Sequence, residues 1–98
     1  MITEIVEFEV KPGTADKFMQ GVKASEEVFK KAEGFLRLEL HHQIENPLIF
    51  VLLIQWETVA YHMDVFRNSP AFASWRANVG EYFAGPPRLQ HSETKLSY

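Results

Sequence analysis

The alternation of apolar and polar residues predicts four β-strands along the chain. Residues with β-branched or aromatic side chains recur at two-residue spacing, or form short apolar runs bounded by turn residues, in four segments. These segments are residues 2–10, 35–45, 48–56 and 89–96. The third segment is apolar on both faces until Gln55, which is typical of a strand in the middle of a sheet.

Apolar residues at helical spacing predict two helical regions between these strands. The first region covers residues 15–32. The second covers residues 58–68 and then restarts at Ser69-Pro70. Ser is a preferred N-cap and Pro a preferred first helical residue, so this pair predicts the start of a new helix.

The order β-α-β-β-α-β predicts an α+β protein with a ferredoxin-like fold. Right-handed crossovers then give a four-stranded antiparallel sheet in the spatial order 4-1-3-2, with the helices on one face. The chain has 98 residues and contains no repeat or linker, so we interpret residues 1–98 as a single domain.

The parity of the strands assigns apolar residues to both faces of this sheet. The face under the helices is predicted to carry Val6, Phe8, Val10, Leu36, Leu38, Leu40, Phe50, Leu52 and Ile54. The uncovered face is predicted to carry Ile5, Glu7, Glu9, Phe35, Arg37, Glu39, Ile49, Val51, Leu53, Leu89 and His91. The uncovered face is too apolar for water and too charged for the interior of a monomer. We therefore expect a homodimer, a dimeric α+β barrel in which two sheets face each other.

Composition argues against several classes of function. Ten basic and 13 acidic residues give a net charge of −3, and the basic residues are scattered, so no nucleic-acid partner is expected. There is no cysteine, which excludes disulfides and thiolate chemistry. The N-terminal residues lack the basic region of a signal peptide, and the longest apolar run, residues 48–54, is too short to span a bilayer. We expect a cytoplasmic protein with no membrane partner.

Several short motifs, in this order, resemble the antibiotic biosynthesis monooxygenase family of dimeric α+β barrels. They are Lys11-Pro12-Gly13, Glu33-Gly34-Phe35, Trp56-Glu57-Thr58, Ser69-Pro70-Ala71-Phe72 and Pro86-Pro87. The resemblance implies small homodimers with a ligand cavity between the sheet and the helices. It also implies, for several relatives, oxidation of phenols, quinols or anthrone-like polyketides by molecular oxygen without metal, flavin or haem.

The chain departs from this family at two sets of positions. Relatives often carry a His three residues before the Ser or Thr of the Ser/Thr-Pro step; here Phe66 holds that position, and His62 lies one turn earlier. The haem-degrading branch uses an Asn, a Trp and a His that fall on Val6, Phe66 and Arg76. Because none of these matches, haem degradation is disfavoured, and we expect neither a cofactor nor a metal.

Two histidines are candidates for the base that such an oxidation requires. Deprotonation of a phenol needs a base whose pKa lies near neutrality, and His is the usual one. His42 continues the helix-facing row of the second strand and is expected to face the cavity, although a structural His at a strand end is the alternative. His62, on the helix after the third strand, could turn inward or lie at the surface.

The candidates for substrate binding are Trp56, Tyr61, Phe66, Trp75 and Arg76. The indole N–H of Trp56 could bond a substrate oxygen, and the guanidinium of Arg76 could hold an anionic one. The ordinary alternative is that the aromatic residues pack in the core and that Arg76 is solvated.

The sequence therefore predicts a cofactor-independent monooxygenase that acts on a small phenolic, quinol or polyketide-like aromatic substrate. The alternative is a non-catalytic dimeric barrel that binds a small hydrophobic metabolite. The absence of the family's helix His favours this alternative.

Overall fold

The computed structural model describes residues 1–98 and contains four strands and three α-helices. In chain order these are β1 (Ile2–Glu9), α1 (Ala15–Ala24), α2 (Glu26–Lys30), β2 (Phe35–His42), β3 (Ile49–Trp56), α3 (Pro70–Val79) and β4 (Arg88–Glu93). A π-helical segment, Tyr61–Phe66, precedes α3, and a 3-10 turn, Gly80–Tyr82, follows it. None of the helices combines the length and the apolar composition needed to cross a membrane.

The four strands form one antiparallel sheet in the order β2-β3-β1-β4. This confirms the predicted order 4-1-3-2 and the ferredoxin-like α+β fold. The central strands pair along their whole lengths, from Ile2 opposite Trp56 to Glu9 opposite Ile49. Along both strands, buried residues alternate with half-buried ones, because successive side chains point to opposite faces.

The predicted helix over residues 15–32 is divided at Ser25. The Ser25 hydroxyl donates a hydrogen bond to the Gly21 carbonyl over 2.9 Å and accepts one from the Asn78 side-chain amide, also over 2.9 Å. Bonding of a Ser hydroxyl to the carbonyl four residues earlier bends helices. Here it ends α1 and also joins α1 to α3.

An aromatic-rich core fills the space between the sheet and the helices. Its buried members are Val6, Phe8, Val10, Phe18, Val22, Phe29, Phe50, Leu52, Ile54, Trp56, Phe66, Trp75 and Val79. The Phe18 ring, from α1, lies 5.4 Å from the Phe8 ring and 4.8 Å from the Phe50 ring, measured between centroids. These tilted contacts hold the helices over one face of the sheet.

A β-bulge corrects the predicted faces of Phe35 and Leu36. Phe35 is opposite Trp56, and the register then shifts so that Arg37 is opposite Gln55. Phe35 therefore lies on the helix side, with its ring 5.9 Å from the Trp56 ring, while Leu36 is 46% exposed. The extra residue of a bulge breaks the two-residue period on which the prediction relied.

The register of β4 corrects the predicted faces of Leu89 and His91. His91 is opposite Glu4, and Leu89 is opposite Val6, which puts both on the helix side of the sheet. The strand is short and mostly polar, so its own pattern does not fix its face. The face is set by the pairing with β1 instead.

Gly21 lies where α1 and α3 approach each other most closely, and we expect Gly21→Ala to destabilise the fold. A Cβ at this position would meet the Asn78 carbonyl oxygen at 2.3 Å, so one helix must move. In an open helix the same change stabilises by about 1 kcal/mol, whereas overpacking costs about 1–3 kcal/mol. Urea unfolding of Gly21→Ala and of Gly80→Ala, whose Cβ would meet only a side-chain atom at 3.9 Å, measures the difference. Equal stability of the two variants would contradict the close approach.

Candidate functional site

A cavity of about 140 Å³ lies on the helix side of the sheet, between β1, the π-helical segment, α3 and β4. Its apolar walls include Phe8, Leu52, Phe72, Trp75, Phe83 and Leu89. Its polar lining consists of Glu4, His62, Arg67 and Arg76. An apolar pocket with a few convergent polar groups is the usual form of a small-molecule site.

Glu4 is the buried carboxyl group of this cavity. It lies on the inner row of β1 with Val6 and Phe8 and is 5% exposed. The indole Nε1–H of Trp56 donates a hydrogen bond to Glu4 Oε1 over 2.9 Å. The sequence prediction had Trp56 on the helix side, as the structure has it, but its N–H is directed to this carboxyl group.

The second oxygen of Glu4 faces the cavity. Every side-chain nitrogen or oxygen that is sealed from solvent has a hydrogen-bond partner. Both close polar contacts of Glu4 involve Oε1, so Oε2 lies in space that solvent can reach. Glu4 lines the cavity, and from this we infer that Oε2 faces it.

His62 is turned inward by the π-helical segment. Its carbonyl accepts a hydrogen bond from the backbone N–H of Arg67, five residues later, over 3.0 Å, and the Thr58 hydroxyl accepts one from Tyr61 N–H at the start. Such wide turns are rare and are frequently found at functional sites. The His62 ring stacks on Trp56 at 5.6 Å between centroids and is only 2% exposed.

The His62 ring joins Glu4 to His91. Its Nε2 lies 3.3 Å from Glu4 Oε1, and its Nδ1 lies 2.8 Å from His91 Nε2. His91 is half-buried on the edge strand β4. The two partners therefore contact different nitrogens of one ring and do not converge on a common point. No group of three His, Cys, Asp or Glu residues is placed to hold a metal ion.

Burial reverses the usual order of the pKa values in this cluster. Desolvation raises the pKa of Glu4 to about 7, against the lowering effects of the Trp56 hydrogen bond and the Arg67 charge. Desolvation, with smaller contributions from His91 and Arg67, lowers the pKa of His62 to about 4. Desolvation also lowers the pKa of His91. Near pH 7 the histidines are neutral, so the 3.3 Å approach of His62 Nε2 to Glu4 Oε1 is not an ion pair.

Two arginines border the cavity from the solvent side. The Arg67 guanidinium lies 5.6 Å from the centre of the Phe72 ring, and the Arg76 guanidinium lies 5.6 Å from the centre of the Phe83 ring. Both residues are exposed, so positive charge stands at the opening while the interior is apolar.

The structure brings together some of the candidate residues and separates others. His62, Trp75 and Arg76 line the cavity, and Trp56 supports it through Glu4. Phe66 packs in the core against Trp56 and Phe29, with centroids 5.3 Å apart in both pairs, and does not line the cavity. Tyr61 lies against Gly34, which has a φ of +80° and no room for a Cβ beside the Tyr61 ring.

His42 lies away from the cavity that it was expected to face. It does share the helix side with Phe50, on which its ring stacks at 4.1 Å, but the residue is exposed and its Nε2 lies 2.7 Å from the Pro47 carbonyl oxygen. Its partner Phe50 is opposite Phe8, four residues or about 13 Å along β1 from Glu4. His42 therefore adopts the geometry of the structural alternative, a His bonded to the turn that follows its strand.

Sequence analysis missed Glu4, Arg67 and His91 as members of the site. The parity of β1 puts Glu4 in the same row as Val6 and Phe8, and a carboxyl group in an apolar row is a detectable signal. No comparable signal marks the other two residues. The position of Arg67 depends on the π-helical turn, and that of His91 depends on the register of β4.

Glu4 and His62 should give opposite pH dependences to the free energy of unfolding. The folded pKa of Glu4, about 7, exceeds its ordinary 4.5, so the folded protein binds the extra proton and loses stability as pH rises between these values. The folded pKa of His62, about 4, is below its ordinary 6.5, so stability rises with pH between these values. The two dependences largely cancel in the unaltered protein.

Removal of either group should therefore expose the dependence of the other. We expect the stability of Glu4→Gln to increase from pH 4 to 6.5, and that of His62→Gln to decrease from pH 4.5 to 7, each on the order of 2 kcal/mol. Urea unfolding across this range, at one protein concentration, measures both. Parallel pH dependences in the unaltered protein and both variants would contradict the assigned shifts.

Comparison with known proteins agrees with the sequence motifs. The family model described as antibiotic biosynthesis monooxygenase matches residues 1–78. A crystal structure from Bordetella bronchiseptica, provisionally named an antibiotic biosynthesis monooxygenase, is 41% identical, covers 97% of both chains and superposes with a TM-score of 0.95. The uncharacterised Bacillus subtilis protein YczJ is 23% identical over 91 residues, which are 93% of this chain and 96% of YczJ.

A more distant protein shares the fold. A variant of SnoaB from Streptomyces nogalater, described as a cofactor-independent oxygenase, is 14% identical, with a TM-score of 0.83 over 98% of this chain and 94% of that one. At this identity the likeness establishes the fold alone. The family model over residues 1–78, together with the 41%-identical relative, shows that the chain belongs to the antibiotic biosynthesis monooxygenase family.

Proposed function

We propose that the protein is a cofactor-independent monooxygenase that oxidises a small quinol or phenol with molecular oxygen, and that Glu4 is its base. The observation that carries the proposal is a buried carboxyl group that lines an apolar cavity and whose pKa is raised to about 7 by desolvation. A base is most effective when its pKa lies near the working pH. Family membership supports oxidation as the reaction.

Glu4 would first remove the phenolic proton. Oε2 accepts the proton from the substrate hydroxyl, and the resulting phenolate transfers an electron to oxygen. Bond formation between a ring carbon and oxygen follows, and the Glu4 proton passes to the peroxide to give a ring hydroperoxide. Glu4 is ionised again at this point.

The second half of the reaction forms the quinone. Glu4 removes the hydrogen on the oxygenated carbon, the O–O bond breaks, and the proton passes to the departing hydroxide to give water. In balance, one quinol and one oxygen molecule give one hydroxyquinone and one water. The substrate supplies all the electrons, so the scheme requires no redox cofactor.

The two arginines and the apolar walls supply the remaining requirements. Negative charge on the phenolate and on the peroxide needs a fixed positive partner, and Arg67 and Arg76 border the cavity. The apolar lining, which includes Phe72, Trp75 and Phe83, offers aromatic surface that a substrate ring can contact.

The size of the cavity favours a substrate with one ring. An apolar cavity of about 150 Å³ is known to hold benzene, and larger ligands usually occupy about 300–1,000 Å³. At about 140 Å³, this cavity matches a monocyclic quinol or phenol better than a fused polyketide. Of the predicted phenolic, quinol and polyketide-like substrates, we therefore favour the monocyclic quinols and phenols.

Replacement of Glu4 by Gln should abolish most of the oxygen uptake, since the amide cannot accept the proton. We expect kcat/KM to fall about 10²–10⁴-fold, and the rate of the unaltered enzyme to rise with pH to a plateau above about 7. An oxygen electrode with metal-stripped protein and a panel of monocyclic quinols and phenols measures both. Glu57→Gln, an exposed carboxyl at the end of β3, is the matched control.

Two outcomes would contradict this assignment. A loss of uptake in His42→Ala with full activity in Glu4→Gln would move the base to the other end of the sheet. No uptake by the unaltered protein, with panel compounds still raising its melting temperature, would favour the alternative of a non-catalytic barrel that binds a small hydrophobic metabolite. Phe66 at the position of the family's usual His is the observation that keeps this alternative open.

A homodimer through the uncovered sheet face completes the proposal. Ile5, Val51 and Leu53 are only half-buried in the single chain and lie among Glu7, Arg37 and Glu39. A second copy of the same face would cover the apolar residues and offer partners to the charges. Dimers of this kind are what family membership implies.

Leu53→Glu should separate the dimer into monomers, because it adds an unpaired charge at the centre of the interface. The physical cost is the burial of a charge without a partner, which is several kcal/mol. Light scattering at several protein concentrations measures the mass. Ile44→Glu, at a loop residue that is 92% exposed, is the control and should leave the mass unchanged. A monomer mass for the unaltered protein at all concentrations would refute the dimer.

A further inference from the structure

We propose that His91 is a positioning residue that fixes the tautomer of His62 and thereby holds Glu4 in its ionised, proton-accepting form. The proposal concerns the ring pair on which the proposed base depends. Its effect on turnover rests on the proposed function, whereas the tautomer and the titration of Glu4 can be measured without any substrate.

The hydrogens of three neighbouring side chains, Trp56, His62 and His91, decide which state of Glu4 the cluster favours. The Trp56 indole is a donor only, so Glu4 Oε1 accepts that bond in either state of the carboxyl group. A neutral imidazole carries one hydrogen, on Nδ1 or on Nε2. The hydrogen bond between His62 Nδ1 and His91 Nε2, at 2.8 Å, therefore needs a hydrogen on one of these atoms and a lone pair on the other.

The two possible arrangements correspond to two states of Glu4. If His91 Nε2–H donates to His62 Nδ1, the hydrogen of His62 is on Nε2, which lies 3.3 Å from Glu4 Oε1, and the positive end of this N–H dipole stabilises the carboxylate. If His62 Nδ1–H donates to His91, the lone pair of His62 Nε2 faces Oε1. That lone pair is compatible only with a protonated carboxyl group.

The position of His91 suits it to hold the first arrangement. It lies on the edge strand and is half-buried, whereas His62 is 2% exposed and has no other partner for Nδ1. The charged groups near the cluster are Arg67, which acts on both Glu4 and His62, and Arg76 on α3, which lines the same cavity. Glu93, two residues along β4, is exposed.

Three variants separate a positioning role from a merely structural one. His91→Leu removes the donor and leaves Nδ1 of His62 unpaired. His91→Gln supplies an amide N–H that can donate to the same atom. Glu93→Gln alters the same strand and the same face but not the cluster, and it is the control.

The first measurement is the tautomer of His62 by nitrogen NMR at pH 8. The chain has four histidines, and the signals of His62 are those that disappear in His62→Gln. We expect the Nε2–H tautomer in the unaltered protein, in His91→Gln and in Glu93→Gln, and a mixture of tautomers in His91→Leu. The Nδ1–H tautomer in the unaltered protein would overturn the proposal.

The second measurement is the titration of the Glu4 carboxyl carbon in the same samples. Loss of the Nε2–H dipole beside the carboxylate should raise its midpoint by about half a pH unit in His91→Leu, with recovery in His91→Gln. Where turnover is observed, the rising limb of the pH–rate profile should move to higher pH by the same amount in His91→Leu. The change should appear in kcat rather than in KM.

The outcomes distinguish this inference from the proposed function. An unchanged tautomer and an unchanged Glu4 midpoint in His91→Leu would overturn the positioning role even if the enzyme is active. If the expected NMR changes occur in a protein that consumes no oxygen, the positioning role is supported and only the proposed monooxygenase reaction is refuted.

Discussion

The burial of one carboxyl group, that of Glu4, is the constraint on which the rest of the site depends. The desolvation of a carboxylate costs several kcal/mol unless hydrogen bonds offset it. Glu4 lies in the apolar row of a central strand, so its partners must come from neighbouring elements. β3 contributes the Trp56 indole, the π-helical segment contributes the His62 ring, and β4 contributes His91 behind it. The pKa of Glu4, about 7, reflects desolvation, which raises it, against the Trp56 hydrogen bond and the Arg67 charge, which lower it.

The departures from regular structure serve this cluster. The bulge in β2 turns Phe35 to the helix side, where its ring meets the edge of Trp56 and fills the space beside the indole that bonds Glu4. The π-helical turn directs His62 inward over the same indole. Local rules are most often broken near functional sites, and both breaks here adjoin one buried group.

The fold could be predicted from the sequence because its signals are strong and agree with one another. The third strand is apolar on both faces, as a central strand should be, and Ser69-Pro70 marks the start of a helix. Together with the order of the elements, these signals agree with the observed sheet order. The site could be predicted only in part. His62, Trp75 and Arg76 line the cavity as predicted. His42 is on the predicted face of β2, but β2 extends beyond the end of the cavity, and His42 lies in that part of the strand.

The remaining errors share a physical origin. A bulge changes parity, and the polar strand β4 takes its face from β1, so neither Phe35 nor His91 could be oriented from its own segment. Glu4 is different, because its parity with Val6 and Phe8 was available from the sequence. A rule that treats every charged residue in a strand as facing solvent misses Glu4, the one buried carboxyl group of the chain.

The reversed order of the two pKa values determines which group can act as the acid and base. In water a carboxyl group gives up its proton before an imidazolium does, so a Glu–His pair becomes an ion pair. Here the pKa of Glu4 is about 7 and that of His62 about 4, so a proton that enters the pair is held by the carboxyl group, and His62 stays neutral. An ion pair would require two desolvated charges in an apolar site, whereas the neutral pair requires none. In the proposed reaction, with Phe66 at the position where relatives often carry a His, the base is therefore placed on the central strand rather than on the helical segment above it.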